Sequence, residues 1–220
     1  MSEGLERVSL DKNLRHPMVV IREHLIRYTF ALQNVFDKDV LDVACGTGYG
    51  TYLMSYWAKS VTGYDNDKQT IKGIKRNFQM RAPAFLEARD LDIETNLGNN
   101  LTKDFDVVTC FETLEHLENP EQLILSIKKH LRPNGVFYFS TPNKPDLVDN
   151  SKWHKSVFNW DIWDKLLTKY FPNKQGEIWG QDQYGLTKDK NKPYIVGKVQ
   201  PLCKSCNSEK HTKTKKFKKS

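Results

Sequence analysis

The sequence predicts an α/β fold, a doubly wound and mostly parallel sheet of seven strands with helices on both faces. Short, nearly continuous apolar segments alternate with helix-like segments as far as residue 140. The first apolar segment ends in a glycine-rich turn before a helix, and the second ends in an acidic residue. Such alternation predicts right-handed crossovers and one twisted sheet that binds ligands at the carboxyl ends of its strands.

The first half of the chain supplies an N-terminal helix and three strands. Apolar residues at helical spacing after a proline predict a helix over residues 17–33. Its core face is expected to hold Val20, Leu25, Tyr28 and Leu32. Strands are predicted over residues 39–44, 60–65 and 83–88, and helix-like segments over residues 51–58 and 67–78.

The second half contains the best-defined unit of the chain. A buried strand over residues 105–110 precedes Asn119 and Pro120, which suit the cap and the first residue of a helix. Further strands are predicted over residues 135–140 and 193–199, and Asn159 is expected to cap another helix. The residues predicted to face the core are Leu123, Ile124, Ile127 and Leu131 in the first helix and Trp163, Leu166, Leu167 and Tyr170 in the second.

The 220-residue chain is interpreted as one main domain over residues 1–202 and a basic tail over residues 203–220. The tail holds seven lysines and one glutamate, so it carries most of the net charge of +7. It is too poor in apolar residues to fold alone, and we expect it to be disordered. Such a tail can bind nucleic acid by releasing counterions, but charged tails are more often simply solvated, so a nucleic-acid partner is not favoured.

Composition favours a cytoplasmic protein. No apolar stretch approaches the roughly 18 residues that suggest a membrane span, so no membrane partner is expected. The first residues carry charges of both signs and lack the apolar run of a secretory signal. The four cysteines form no disulfide framework, and Cys203, Cys206 and His211 lack the fourth ligand of a structural zinc site. No pattern in the sequence indicates an oligomeric state.

The turn CGTGYG after the first strand predicts a nucleotide pocket. Gly46 and Gly48 are its expected floor, because glycine lets a ligand approach the backbone closely. The third glycine of a dinucleotide site is absent at the required spacing. Asp42 on the strand favours a cationic adenosyl amino acid over an anionic pyrophosphate. Asp65 at the end of the second strand suits the two ribose hydroxyls, a feature that NAD-dependent enzymes share.

Five segments resemble, in order, the motifs of class I S-adenosylmethionine-dependent methyltransferases. They are VLDVACGTGYG, VTGYDND, ARDLDIE, FDVVTCFETLEHLENP and LRPNGVFYFSTPN. The resemblance covers about residues 20–200 and implies the Rossmann-like fold of that family. Arg27 and Tyr28 match a pair found in the ubiquinone-biosynthesis-type branch and in glycan-associated bacterial or phage methyltransferases. The Gly180 and Gln181 pair also resembles the glycan-associated group.

The resemblance implies that S-adenosylmethionine is the cofactor. Asp42 and the backbone of residues 44–48 would hold the methionine moiety, Asp65 the ribose, and Asp90 the adenine amino group. Phe111 and Glu112 would border the sulfonium and the acceptor. The residues assigned to the cofactor in this way are Arg27, Tyr28, Asp42, Ala44, Cys45, Gly46, Gly48, Asp65, Asn66, Asp90, Leu91, Phe111 and Glu112.

The residues assigned to catalysis are Glu115, His116 and His154. Methyl transfer chiefly needs alignment, and a base is needed only if the acceptor loses a proton. His116 is the candidate base because imidazole accepts protons near neutral pH; the alternative is a histidine that only packs on the following helix. With Glu112, this set also resembles the metal ligands of small-RNA 3′-terminal 2′-O-methyltransferases. We assign no metal, since E-x-x-E-H also occurs in metal-free relatives.

We therefore predict a methyltransferase acting on oxygen or nitrogen of a small molecule, a sugar or glycan precursor. Methylation of a nucleic-acid base is disfavoured. The N-P-P-Y or D-P-P-Y tetrapeptide of amino-methylating DNA enzymes does not follow the fourth strand, and the Pro-Cys pair of cytosine-C5 enzymes is also absent. Three alternatives stay open. They are a metal-assisted RNA 2′-O-methyltransferase, a scaffold that binds the cofactor without turnover, and an NAD-dependent enzyme.

Overall fold

The structure is a computed structural model that describes residues 18–143, 154–156, 159–171, 175–182 and 184–200. Its helices are α1 (Met18–Ala31), α2 (Tyr49–Met54), α3 (Lys68–Ile74), α4 (Ile93–Asn100), α5 (Pro120–His130) and α6 (Trp160–Tyr170). Its strands are β1 (Asp39–Val43), β2 (Ser60–Asp65), β3 (Phe85–Asp90), β4 (Phe105–Phe111), β5 (Leu131–Pro142), β6 (Gln175–Asp182), β7 (Gly185–Thr187) and β8 (Tyr194–Gln200).

The strands form one sheet in the order β3-β2-β1-β4-β5-β8-β6-β7. Strands β1 to β5 pair in parallel, whereas β8, β6 and β7 are added antiparallel. The chain winds from β1 to one edge and then returns past β1 to the other, which confirms the predicted doubly wound sheet. The described residues form eight strands and not seven. The sequence located six of these strands, and β6 and β7 were missed because β7 has only three residues and β6 contains two glycines.

Helices cover both faces of the sheet because its central strands are apolar on both sides. Every residue of β1 and β2 is buried, as expected for parallel strands between two helical layers. Helices α4, α5 and α6 contribute to the core on one face, and α1 and α2 contribute to the core on the other. Helix α3 packs against β3 in a smaller cluster. The carboxyl ends of the central strands are thereby held rigidly beneath the site.

The predicted helix α5 is confirmed in its cap and in three of its four core residues; Leu131 is buried but begins strand β5. The Asn119 side chain accepts a hydrogen bond from the Gln122 backbone N–H at 3.3 Å. Its residues Leu123, Ile124 and Ile127 are fully buried. Helix α6 follows the same plan, with Asn159 as its cap, Trp163 and Leu167 fully buried, and Leu166 and Tyr170 only partly buried.

The N-terminal helix is confirmed, but its predicted core face is partly wrong. Leu25 is 36% exposed, whereas Arg27 is only 1% exposed. Tyr28 is buried as predicted, and Leu32 is partly buried in the turn after the helix. The side chain of Val20 lies outside the described structure. Helix α1 therefore turns a charged side chain inward, a feature that hydrophobic periodicity does not reveal.

Several other elements differ from the prediction. Strand β5 begins at Leu131 and not at residue 135, and α2 covers Tyr49–Met54 and not residues 51–58. The third strand begins two residues later than expected, at Phe85. Helix α4 was not predicted, because Ile93 and Leu97 are its only apolar anchors. The basic tail lies outside the described residues, so its disorder stays a prediction. In the part of the chain that the structure describes, no helix is long and apolar enough to cross a bilayer.

A network of hydrogen bonds and ion pairs lies at the amino end of strand β1. Asp39 of β1 accepts hydrogen bonds from Ser60 Oγ at 2.6 Å, from Arg132 Nη1 at 2.9 Å and from Lys103 Nζ at 3.4 Å. Burial acts to raise the pKa of Asp39, but the hydrogen bonds from Ser60, Arg132 and Lys103 lower it from 3.8 to about 2. The ionised carboxylate therefore stabilises the fold above its unfolded pKa, and this stability is lost as the pH falls through the folded pKa.

We expect Asp39→Asn to lower the free energy of unfolding at pH 7 by about 2 kcal/mol, because buried hydrogen bonds to a charged group are lost. The deficit should shrink as the pH falls below about 4, where the wild-type carboxylate also begins to lose its charge. Urea unfolding at several pH values measures both effects. Asp104→Asn is a matched control on a residue whose side chain is 57% exposed, with an expected change below about 0.5 kcal/mol. A deficit that does not change with pH would contradict the ion-pair explanation.

Candidate cofactor and active site

The glycine-rich turn after β1 contains three residues with positive φ, Ala44 (56°), Gly46 (53°) and Gly48 (80°). The Cys45 N–H donates to the Tyr64 carbonyl of β2 at 2.9 Å, which anchors the turn to the neighbouring strand. A Cβ built on Gly46 meets no atom within 4 Å, so the turn faces open space there. The turn therefore presents backbone to a crevice at the carboxyl edge of the sheet.

Two other glycines allow this turn to pack closely on its support. A Cβ on Gly48 would lie 2.5 Å from Ile74 Cγ1 of α3. A Cβ on Gly50 would lie 2.0 Å from Tyr28 Cζ of α1. Gly46 thus leaves room for a ligand, whereas Gly48 and Gly50 leave room for the side chains of Ile74 and Tyr28.

Asp42 lies beneath the turn and not in the open crevice. It is 1% exposed, and its carboxylate accepts hydrogen bonds from Thr51 Oγ1 at 2.6 Å, Thr109 Oγ1 at 2.7 Å and the Tyr28 hydroxyl at 3.3 Å. Burial raises the pKa of Asp42 to about 6, although these three hydroxyls act in the opposite direction. The sequence assigned Asp42 to the methionine moiety. That assignment stays a prediction; in the structure the Asp42 oxygens bind the hydroxyls that surround the turn.

Asp65 and Asp90 lie side by side at the ends of β2 and β3. The buried Asp65 carboxylate accepts a hydrogen bond from the Gly46 N–H at 2.9 Å, and its backbone carbonyl accepts one from the Leu91 N–H at 2.9 Å. Asp90 is more exposed, and Asn66 is exposed. The acidic residues assigned to the nucleoside are therefore brought together beside the turn.

Arg27 is buried and is held from three sides. Its Nε donates to Gln181 Oε1 at 2.7 Å, its Cζ lies 4.9 Å from the centre of the Tyr194 ring, and its Nη1 lies 3.5 Å from Glu112 Oε1. Within the described residues, Arg27 Nη1 and the buried Tyr49 hydroxyl have no hydrogen-bond partner. A buried guanidinium with an unused donor is suited to bind an anion.

Glu112 follows β4 with a φ of 47°, the second non-glycine residue with left-handed backbone at this edge. Its N–H donates to Ser140 Oγ at 3.0 Å, and the Ser140 hydroxyl donates to Glu112 Oε1 at 2.7 Å. Phe111 packs edge-on against Tyr28, with ring centres 5.0 Å apart. Left-handed non-glycine residues concentrate at functional sites. Glu112 is thus fixed by Ser140 of β5 within 3.5 Å of Arg27.

Glu115, His116 and His154 form a second group next to Glu112. One ligand atom from each lies within 4.8 Å of the others, and the two imidazole rings are 4.8 Å apart. The Glu115 carbonyl accepts a hydrogen bond from the Lys155 N–H at 2.8 Å, which anchors the segment that carries His154. Burial and the negative charge of Glu112 raise the pKa of Glu115 well above its usual range. Glu115 Oε2 has no hydrogen-bond partner among the described residues.

The structure therefore places the predicted residues in two adjoining groups. Three contributors were missed: Thr51, Thr109 and Ser140. Their hydroxyls within otherwise apolar segments were the available signal. Tyr194 was also missed, and Gln181 was noted without a place in the cofactor site. Gln181 lies on β6, which the sequence did not resolve, and Tyr194 lies on β8, a strand that was predicted without a role for this residue.

The comparisons agree with this geometry. A family model described as a methyltransferase domain matches residues 15–178. The chain therefore belongs to the methyltransferase-domain family. Its fold is the Rossmann-like fold of class I S-adenosylmethionine-dependent methyltransferases.

Curated relatives share part of their length with this chain. The ubiquinone biosynthesis O-methyltransferase of Idiomarina loihiensis is 36% identical over 110 residues, which is 50% of this chain and 44% of that protein. The protein of the same name from Actinobacillus pleuropneumoniae serotype 5b is 34% identical over 113 residues, 50% of this chain and 48% of that protein. The chain thus spans less than half the length of these relatives.

Solved structures share the fold over most of the chain. The N-methyltransferase NodS of Bradyrhizobium japonicum in complex with S-adenosyl-l-homocysteine has a TM-score of 0.65 at 16% identity, covering 86% of this chain and 91% of that one. An S-adenosylmethionine-dependent methyltransferase of Clostridium acetobutylicum has a TM-score of 0.63 at 17% identity, covering 82% and 90%. At this identity the structures show the fold alone.

We expect Gly50→Ala to destabilise the turn, because the new Cβ would collide with the buried Tyr28 ring. The free energy of unfolding should fall by about 2 kcal/mol, and S-adenosylhomocysteine should bind more weakly. The matched control is Gly73→Ala in α3, where a Cβ meets nothing within 4 Å; it should be neutral or stabilising by up to about 1 kcal/mol. Urea unfolding and titration calorimetry measure the two quantities. Equal effects of the two substitutions would contradict the assigned close contact.

Proposed function

We propose that the protein is an S-adenosylmethionine-dependent methyltransferase that methylates a hydroxyl oxygen of a small molecule. One arrangement carries the proposal: the turn at residues 44–48 is open at Gly46 and binds Asp65, which pairs in register with Asp90, and the helix after the turn packs against α1, which carries the under-bonded cation of Arg27. The crevice thus offers a cation to a carboxylate and carboxylates to hydroxyls and amines. This charge arrangement suits an adenosyl amino acid better than a pyrophosphate.

The residues present fit this cofactor. Arg27 Nη1 would donate to the carboxylate of the methionine moiety, a charge-assisted bond that satisfies a buried donor. The Asp65 carboxylate, which binds the Gly46 N–H through one oxygen and the Asp67 N–H through the other, would also accept the ribose hydroxyls. Asp90 and the backbone of Leu91 would bind the adenine. Because Gly46 has no side chain and faces open space, the ligand could contact the backbone there directly.

The protein's part in the reaction is alignment and proton transfer. When bound, the cofactor supplies an electrophilic methyl group on a sulfonium. Phe111 and Tyr28 form an apolar wall that limits water, and Glu112 places negative charge next to that wall. His116 would accept the proton that the acceptor hydroxyl loses as its oxygen takes the methyl group. Alignment of this kind contributes about 7–11 kcal/mol to methyl transfer in favourable cases.

The choice of oxygen as acceptor rests on the relatives. Ubiquinone biosynthesis O-methyltransferases share about a third of the residues of this chain over the matched half. A sugar or glycan precursor, the acceptor expected from the sequence, stays a prediction. So do nitrogen as the acceptor atom and the cytoplasmic location.

The cluster of Glu115, His116 and His154 favours a second candidate, metal-assisted methyl transfer. One carboxylate and two imidazoles within 4.8 Å form a donor set for a divalent cation. The cluster fits such an ion because Glu115 Oε2 is buried without a hydrogen-bond partner among the described residues. A bound cation would act as a Lewis acid on the acceptor hydroxyl. In this candidate His116 is a ligand and not the base.

We expect S-adenosylhomocysteine to raise the melting temperature of the wild-type protein and NAD to leave it unchanged, because only a ligand of the folded state stabilises it. Arg27→Met should weaken the binding of S-adenosylhomocysteine by tenfold or more, about 1.4 kcal/mol, since the ligand carboxylate loses its cation. Arg22→Met, on the exposed side of the same helix, is the control and should bind normally. Stabilisation of the wild type by NAD would refute the assignment.

Chelation separates the two roles of His116. If Glu115, His116 and His154 hold a cation, methyl transfer to a small hydroxyl acceptor should fall to background in EDTA and return with Mg²⁺ or Mn²⁺. The pair His116→Ala and His154→Ala should then abolish the response to metal. If His116 is the base, EDTA should have no effect, and His116→Ala alone should lower kcat by about 100-fold or more. His130→Ala, at the end of α5, is the control. Cofactor binding without turnover of any acceptor would favour a scaffold.

A further inference from the structure

Gln181 links the antiparallel extension of the sheet to the cofactor crevice. It lies on β6, fully buried, paired in register with Tyr194 of β8. Its side-chain oxygen accepts a hydrogen bond from Arg27 Nε at 2.7 Å, and its side-chain nitrogen donates to the Glu23 carbonyl at 2.9 Å. Both ends of the Gln181 amide are therefore bound to helix α1.

These contacts determine where the Arg27 guanidinium points. Gln181 occupies the Nε edge, and Tyr194 lies against the guanidinium at 4.9 Å. Nη1 is left 3.5 Å from Glu112 and without a hydrogen bond to any described residue. A long arginine side chain has several rotamers of similar energy, so ordering it in one of them needs such contacts. Gln181 and Tyr194 supply them from the same pair of strands.

We propose that Gln181 is a positioning residue that holds the Arg27 guanidinium toward the carboxylate of the cofactor's methionine moiety, an inference that rests on the proposed function. A neutral amide is suited to this task. It accepts from Nε without adding a second negative charge that would compete with the ligand for Arg27. An acid at this position would compete, and an apolar residue would leave Nε buried without an acceptor.

The antiparallel strands β8 and β6 belong to the site because they carry Tyr194 and Gln181, which contact Arg27. Strand β6 is two strands away from β5 in the sheet and contributes no predicted site residue of its own. Through Gln181, β6 holds the Arg27 side chain of α1. Helix α1 also packs against the glycine-rich segment, because its Tyr28 contacts Asp42 and Gly50. Cofactor affinity should therefore depend on a residue that touches no part of the cofactor.

The test compares two ligands that differ in the group that Arg27 recognises. S-Adenosylhomocysteine carries the amino-acid carboxylate, whereas 5′-methylthioadenosine lacks the amino-acid moiety. Gln181→Met, which keeps the size and removes both hydrogen bonds, should weaken the binding of S-adenosylhomocysteine by about tenfold. It should change the binding of 5′-methylthioadenosine by less than about twofold, and KM for S-adenosylmethionine should rise more than kcat falls. Gln200→Met, at the far end of β8, is the matched control.

Two further variants make the outcome decisive. Gln181→Glu keeps an oxygen for Arg27 Nε but adds the competing charge, so it should weaken S-adenosylhomocysteine selectively even if Gln181→Met folds poorly. In an Arg27→Met background, Gln181→Met should have no additional effect, because the residue acts through Arg27.

Each result has a separate meaning. Equal weakening of both ligands by the Gln181 variants would reduce Gln181 to a structural residue and overturn the inference. Normal affinity in Gln181→Met with weak binding in Arg27→Met would overturn the inference alone. Normal binding of S-adenosylhomocysteine by Arg27→Met would remove the proposed role of Arg27, and with it the role of Gln181.

Discussion

The buried carboxylate of Asp42 is the interaction on which the site depends. A carboxylate in the protein interior is strongly unfavourable unless hydrogen bonds replace its lost water. Here the replacements are hydroxyls from three different elements, Tyr28 of α1, Thr51 of α2 and Thr109 of β4. Because each hydroxyl must reach the same carboxylate, the three elements are fixed relative to β1. The cofactor turn is built on this fixed base.

Topology explains why the crevice opens where it does. The winding of the sheet reverses between β1 and β4, so the chain leaves these neighbouring strands in opposite directions. Both exits have left-handed backbone at a non-glycine residue, Ala44 after β1 and Glu112 after β4. Such residues cost about 1–3 kcal/mol each. They persist because hydrogen bonds to β2 and to Ser140 hold the residues around them.

The sequence predicted structure correctly where the determining residues are close together in the chain. The strand and turn around Gly46, and the cap and core face that begin at Asn119, depend on residues close in the chain. The burial of the Arg27 side chain could not be predicted from local patterns, because its partner Gln181 is 154 residues away in the chain. The hydrogen bonds of Asp42 could not be predicted for the same reason, since one of its hydroxyl partners lies on another strand. Beyond α6, the glycine-containing β6 and the three-residue β7 carry too weak a pattern to be recognised from sequence.

Glu112 joins the two halves of the site electrostatically. On one side it lies 3.5 Å from Arg27, whose charge it partly offsets. On the other its negative charge adds to burial in raising the pKa of Glu115, which favours the protonated form of that carboxyl. Glu112 therefore interacts electrostatically with both Arg27 and Glu115. The left-handed backbone of Glu112, fixed by Ser140, keeps its carboxylate in reach of both, so the geometry of one strand end sets the charge balance of the whole site.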